Sequence, residues 1–565
     1  MTGMRTLIAA LAMAAFLPAQ MDTLYPLPKG WRVTRDGLKT SERARHGMVA
    51  SPDEIASRVG VEVLRNGGNA VDAAVAVGFA LAVTFPEAGN IGGGGMMLVH
   101  LAGGESHAVD YREMTPQAAR PALFERYLDR WFGYRSLGIP GTVAGLGTAH
   151  ARWGSRPWAD RLEPARRLAA EGHPLSQRMA ETISFVALRM KEHPEAAKVF
   201  LDPDGRPWEQ GHPLRQPDLA RTIAVLREEG WESFYRGSIG RRMVAGIREN
   251  GGLITEDDWS AYQARVLEPL RGSYRGLPVV TMPAPATSGG VALLEMLNLR
   301  ELFPASAEAA GSASAWHLAI EIMRRADYDR RRWYGDKGLP PAEPETLVAK
   351  DYAKSVAQLI RADSATPSSA LSAGGAPPGS QQTTSYTIVD QHGNIVSNTY
   401  TLQGALGALV MPGGTGVLLC SGASYFDIGA GNRNEIGPRK RPIYSMTPTL
   451  VARKDGSPWF ALGSPGGYTI ANTLFQVIVG MVDYGMGLRD TVEAPRLSQG
   501  YKPDEVSVER GALSAETVEK LRAMGHSKFY FRRGALGDVQ AVMIDESGWR
   551  YGWSDGRAGG RALGY

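Results

Sequence analysis

The stretch Gln381-Gln382-Thr383-Thr384-Ser385-Tyr386 stands where a polar, small-residue linker gives way to β-forming sequence. Upstream, Asp363 to Ser380 (DSATPSSALSAGGAPPGS) holds almost no large apolar side chain, which predicts a segment unable to bury enough surface to offset the entropy of ordering it. Downstream, Thr384 to Asp390 and Asn394 to Leu402 are β-rich runs around Gln391-His392-Gly393-Asn394, the pattern of a hairpin. If the peptide bond before Thr383 is broken, Thr383 carries a hydroxyl and a free α-amine on one residue. That pairing is a nucleophile with its own base.

A chain of 565 residues predicts several domains or one large composite fold, since a single core seldom grows past about 250–300 residues. The net charge is only +4 and no basic block occurs, which argues against nucleic acid as a partner. At the N-terminus, Arg5 precedes the apolar run Leu7 to Leu17 and then Pro18-Ala19-Gln20. The run is shorter than the ~20 residues of a spanning helix and reads as an export signal. Residues 1–20 are therefore expected to be a signal peptide, the protein periplasmic or secreted, with no membrane span once the signal is removed. Cys420 is the single cysteine, so no internal disulfide can form.

Ser51-Pro52-Asp53-Glu54 reads as a capping box opening a helix that ends at Asn66-Gly67-Gly68, and Ala70 to Val83 as a core helix, apolar nearly all round. Helical patterns dominate to about Ile360. After Thr383 the sequence turns to strands at Gly416–Cys420, Thr449–Arg453, Trp459–Gly463, Glu505–Glu509 and Val539–Ile544, interrupted by a helix over Ile470–Tyr484. Helices flanking clustered strands predict an α+β fold with helices layered on sheets.

Several chemistries drop out early. The ten histidines show no i, i+4 pair and no HExxH, so no metal site of local spacing is expected. Gly552-Trp553-Ser554-Asp555-Gly556 matches the serine-hydrolase elbow, but none of the nine residues after Gly556 is His. Gly92 to Gly95 is followed by Met96-Met97-Leu98-Val99 and not by Lys-Ser/Thr, which reads as a close-packed turn into a strand and not a phosphate loop.

A Thr-Thr pair opening a strand usually reflects β-propensity alone. Two further elements give Thr383 company. Gly463-Ser464-Pro465-Gly466-Gly467, between a strand and a helix, could present two backbone N–H groups to a developing oxyanion. Arg112, after Val109-Asp110-Tyr111, could clamp a carboxylate or simply pair with Glu113 at the surface.

Together with Gly67 to Ala74 (GGNAVDAA), Gly138-Ile139-Pro140-Gly141, Gly251 to Ile254, Asn398 to Leu402 (NTYTL) and Lys440-Arg441-Pro442, these motifs resemble the γ-glutamyltransferase (glutathione hydrolase) family of N-terminal-nucleophile hydrolases from about His46 to Tyr565. The resemblance implies a four-layer αββα sandwich and a precursor that cuts itself between Gln382 and Thr383. It implies a large fragment, 21–382, with a flexible linker at 363–382, and a small fragment, 383–565, that stay together as a heterodimer. It implies Thr383 as nucleophile, Thr401 as the hydroxyl that orients it, and Gly466 and Gly467 as oxyanion donors, with no cofactor. A γ-glutamyl or related amide would acylate Thr383, and water or an amine or dipeptide acceptor would take the acyl group.

The acyl-donor pocket departs from the family pattern. By resemblance, Arg112 and a Ser pair meet the substrate α-carboxylate, yet the pair reads Tyr444-Ser445 here. The positions that meet the α-ammonium read Gly422 and Tyr425, and a position that is often Asn is Gln403. An ammonium buried without a charged partner costs about 3–5 kcal/mol. Two donors are therefore expected: γ-glutamyl amides such as glutathione, with Asp427 or an upstream carboxylate replacing the missing Asp, or a carboxylate-bearing acyl group without ammonium, as in glutaryl or cephalosporin acylases. A purely binding protein on this scaffold would be expected to lose the Thr or its glycines, and both are present.

Overall fold

The computed structural model describes residues 41–565 apart from 125, 306–308 and 372–381; the expected signal peptide and most of the expected linker lie outside the described residues. Two seven-stranded sheets form the centre. Their strands are β1 (Ser41–Ala44), β2 (Met48–Ser51), β3 (Gly94–His100), β4 (Ser106–Asp110), β5 (Arg265–Leu267), β6 (Leu270–Tyr274), β7 (Leu277–Thr281), β8 (Gln382–Val389), β9 (Ile395–Gln403), β10 (Thr449–Ala452), β11 (Pro458–Gly463), β12 (Gln540–Ile544), β13 (Arg550–Ser554) and β14 (Arg561–Gly564). One sheet runs β1-β13-β12-β11-β10-β7-β6 and the other β14-β2-β8-β9-β3-β4-β5, with antiparallel neighbours throughout.

Helices cover both outer faces. Helix α1 (Glu54–Arg65) and α2 (Ala70–Thr84) pack on the sheet that holds β8 and β9. Every residue of α2 is buried, which is why its apolar residues need no polar stripe. On the other sheet lie α3 (Gly289–Glu301), α4 (Ala313–Tyr334) and α5 (Ile470–Val482), sharing one core with the strands. The result is a four-layer α+β sandwich, as expected.

Between the sheets the packing is polar where the site lies. In β8 and β9 the period of two aligns Thr383, Ser385 and Thr387 with Thr401, Thr399 and Ser397. Their hydroxyls form a buried ladder, Ser385 to Thr399 at 2.8 Å and Thr387 to Ser397 at 3.2 Å. The Thr387 hydroxyl also donates across the gap to the Gln540 carbonyl at 2.8 Å. Gly463, at the end of β11, lies over this ladder: a Cβ there would stand 3.2 Å from the Ser385, Ser397 and Thr399 hydroxyl oxygens.

Several expectations need correction. Asp53, not Ser51, caps α1: its carboxylate accepts the Ala56 N–H and the Thr84 hydroxyl, both at 2.9 Å. Ser51 is committed to β2, paired with Arg561 of β14. Residues 416–420 form no strand, because Gly416 is left-handed (φ 69°) and the Cys420 N–H bonds the Gly92 carbonyl instead of a ladder partner. The region read as helical to Ile360 contains β5, β6 and β7, strands of only three to five residues, too short to show a clear period of two. Of the expected flexible linker, 363–371 is anchored: the Thr366 and Ser368 N–H groups donate to the buried Glu321 and to Asp504 at 3.1 and 2.8 Å. Buried or fixed carboxylates there supply the ordering that apolar surface could not.

Candidate functional site

Thr383 sits at a break in register. Gln382 pairs with Gln403 and Thr384 with Tyr400, so one residue of β8 faces two of β9. A bulge of this kind turns a side chain out of the regular ladder. Thr383 is 7% exposed, and its hydroxyl donates to the Thr401 oxygen over a long 3.5 Å. Thr401 is fixed from behind: its Oγ1 accepts the Gln403 N–H at 2.7 Å, and its carbonyl packs so closely on Gly93 that a Cβ there would stand 2.1 Å away. The glycine run is thus a close-packed turn shaped around Thr401, as its sequence suggested.

Gly466 and Gly467 follow β11 just past the ladder, with φ of 135° and 58°. Only glycine occupies such backbone without strain. The turn is pinned by Thr469, whose N–H and hydroxyl both donate to the Gly466 carbonyl. From the other side, Asp538 N–H donates to the Ser464 hydroxyl at 3.0 Å, and Gly537 lies against Gly466. Burial, with Asp555 nearby, holds the Asp538 carboxyl well above the usual carboxylate range against the pull of Arg178 and Arg496.

The donor-pocket candidates also converge, but most are already engaged. Arg112 is buried and forms a bidentate pair with Asp110, Nε to Oδ1 and Nη2 to Oδ2 both at 2.9 Å, while Nη1 donates to the Pro442 carbonyl. Arg441 shares the same carboxylate at 3.2 Å, and the two guanidinium groups hold Asp110 well below the usual carboxylate range despite its burial. The Tyr425 hydroxyl lies 2.9 Å from that of Ser445, and its ring meets Tyr444 and Tyr468 at 5.1 and 5.7 Å. Asp427 lies beyond these rings, accepting from Asn432 at 3.0 Å with Arg331 and Asp336 nearby.

Glu113 was passed over in the sequence as a surface partner for Arg112. It is buried, and its carboxyl accepts the Gln403 side-chain amide at 2.9 Å and the Tyr444 hydroxyl. Burial raises its pKa, and the Tyr444 and Gln403 hydrogen bonds only partly oppose that. The glycine at Gly94 was the available signal, since a Cβ there would stand 2.7 Å from Glu113 Oε2. Among the described residues no group of His, Cys, Asp and Glu suits a metal ion, and no helix is long and apolar enough to cross a membrane.

Residues 56–565 match the gamma-glutamyltranspeptidase family. The chain is 38% identical over 533 residues to the glutathione hydrolase proenzyme of Escherichia coli (strain K12), covering 91% of each chain. It is 33% identical over 552 residues to the acylase ACY 1 proenzyme of Pseudomonas sp. (strain V22), covering 96% of this chain and 97% of that one. Among solved structures, the cephalosporin acylase from Bacillus halodurans superposes with a TM-score of 0.84 at 25% identity, covering 95% of this chain and 99% of the other. The chain belongs to the gamma-glutamyltranspeptidase family.

Proposed function

We infer that the protein is a self-processing N-terminal threonine amidohydrolase and acyltransferase of the γ-glutamyl type. The observation that carries this reading is the pairing of Thr383 with Thr401 at a bulge, supported by the turn of two positive-φ glycines that follows β11. In maturation the Thr383 hydroxyl attacks the Gln382 carbonyl carbon, and the C–N bond breaks as the nitrogen takes up a proton. The resulting ester joins Gln382 to Thr383 Oγ. Water hydrolyses it, leaving a Gln382 carboxylate and a Thr383 with a free hydroxyl and amine.

In turnover that amine, with an ordinary pKa of about 8, accepts the hydroxyl proton as Oγ attacks the substrate amide. The Gly466 and Gly467 N–H groups receive the developing oxyanion. The amine product leaves with a proton, and water or an acceptor amine takes the acyl group from Thr383. Residues 21–382 and 383–565 are the two fragments, held together by the continuous sheet in which β8 and β9 of one pair with β2 and β3 of the other. Export to the periplasm or beyond follows from residues 1–20.

The family favours γ-glutamyl amides such as glutathione as donors. A second reading, an acyl group with a carboxylate and no ammonium, is favoured by Gly422. A side chain there would stand 2.5 Å from Gly138 N, so the expected ammonium partner has no room. Tyr425 and Tyr444 direct their hydroxyls to Ser445 and Glu113. The two readings separate when γ-glutamyl-p-nitroanilide and glutaryl-p-nitroanilide are compared on the processed protein. A strong glutaryl preference would sink the glutathione reading, and a γ-glutamyl preference the acylase one. Wild type that stayed one chain yet hydrolysed either compound would overturn the processing mechanism.

A further inference from the structure

Gln403 is the one residue of β9 with left-handed backbone, φ 73°, a conformation unfavourable for a non-glycine residue that persists only where its surroundings impose it. The Gln403 N–H donates to Thr401 Oγ1 at 2.7 Å, and the left-handed φ sets the direction in which the side chain of the same residue leaves that anchored N–H, toward Glu113 and Tyr444. The side chain of the same residue is held in a closed triangle. Its Nε2 donates to Glu113 Oε1 at 2.9 Å and to the Tyr444 hydroxyl oxygen at 2.7 Å, and the Tyr444 hydroxyl donates to Glu113 Oε2. All three side chains are about 1% exposed, so water competes little for these bonds. Gly94 and Gly138 leave the space that Glu113 fills.

We propose that Glu113 and Tyr444 are positioning residues for the nucleophile: by clamping the Gln403 carboxamide they hold the left-handed backbone whose N–H fixes the Thr401 hydroxyl against Thr383. The proposal rests on Thr383 being the nucleophile, and it goes beyond that reading by linking residues that touch no reacting atom. It also predicts a signature that donor recognition alone cannot give. Self-cleavage uses Thr383 and Thr401 but no external donor, so a lost clamp slows maturation as well as turnover. A group that merely recognises donor changes KM or the donor ratio and leaves maturation alone.

The test follows self-cleavage of the full chain on denaturing gels and, on the matured protein, kcat and KM for both p-nitroanilides. Tyr444→Phe is expected to slow self-cleavage and to lower kcat for both donors by about tenfold or more, with KM within about threefold. Glu113→Gln, which keeps an acceptor for Gln403, is expected to lose less than Glu113→Ala. Gln403→Gly adopts positive φ without a clamp, so it is expected to retain more activity than Gln403→Ala, and Tyr444→Phe to add no further loss in that background. Thermal midpoints check folding, and where Tyr444→Phe does not fold, Glu113→Gln is read in its place.

Cleavage at the wild-type rate with only KM or the donor ratio changed would overturn the clamp. So would an undiminished Tyr444→Phe effect in the Gln403→Gly background. Cleavage of Thr383→Ala at the wild-type rate would remove the underlying nucleophile reading and the clamp with it.

Discussion

Gly422 and Gly138 pack backbone to backbone: a Cβ on Gly422 would lie 2.5 Å from Gly138 N and 2.6 Å from its Cα. Neither atom belongs to a flexible side chain, so a larger residue at 422 must displace the 138 segment, which in turn lies against Glu113. At this point of the candidate donor pocket the main chain itself fills the space.

Gly422→Gln, which would add a polar side chain at a position that by resemblance meets the α-ammonium, is therefore expected to fail. Overpacking of this kind costs about 1–3 kcal/mol, and the thermal midpoint is expected to fall by several degrees without any gain in γ-glutamyl turnover. An unchanged midpoint would show that the 138 segment yields freely.

Tyr425→Asp removes a ring that packs between Tyr444 and Tyr468 and frees Ser445 from its hydroxyl partner. It introduces a carboxylate on the side of the pocket where the ammonium partner is missing. The ratio of γ-glutamyl to glutaryl kcat/KM is expected to rise by about tenfold or more, equivalent to ~1.4 kcal/mol of transition-state preference. A ratio that stays constant would place donor recognition elsewhere.

Thr383→Ala is expected to remain one chain and to hydrolyse neither anilide, since it lacks the attacking oxygen for both steps. Thr383→Ser keeps an oxygen and loses the methyl group that restricts the side-chain rotamer. It is expected to mature more slowly than wild type, which timed denaturing gels would show.

Asp538 supplies a pH test. Its carboxyl, raised in the folded state by burial and by Asp555, binds a proton at pH values where the unfolded chain, with an Asp pKa of about 3.9, has released it. The folded state then holds more protons than the unfolded one, so this group's contribution to stability falls as pH rises from about 4 toward neutral. Asp538→Asn removes that slope. Its thermal midpoint relative to wild type is expected to climb between pH 5 and 7.5, and a constant difference would contradict the raised carboxyl.

The parts of the fold that were legible in the sequence share a local cause. The Ala70–Thr84 helix could be read because fifteen nearly uniformly apolar residues leave no solvent face, and the β8–β9 hairpin because β-forming runs flank the Gln391-His392-Gly393-Asn394 turn. The α1 cap was misplaced by two residues because Ser51 and Asp53 are both good caps, and only pairing with β14 commits Ser51 to the sheet. Residues 416–420 looked like a strand because their apolar run was genuine. Burial alone produced it, with the backbone looping past Gly92.

The sequence by itself determined where to look for a nucleophile: the composition break before a strand pointed to Thr383 and the strand–turn–helix pattern to Gly466 and Gly467, while Thr401 was singled out by resemblance to the family. Only the tertiary structure decided the pocket. Glu113 became an interior group, Arg112 was tied to Asp110, and Gly422 was pressed against Gly138 by segments far apart in the chain. Such contacts depend on which backbones meet across the sandwich, and no periodicity along a single strand or helix encodes them.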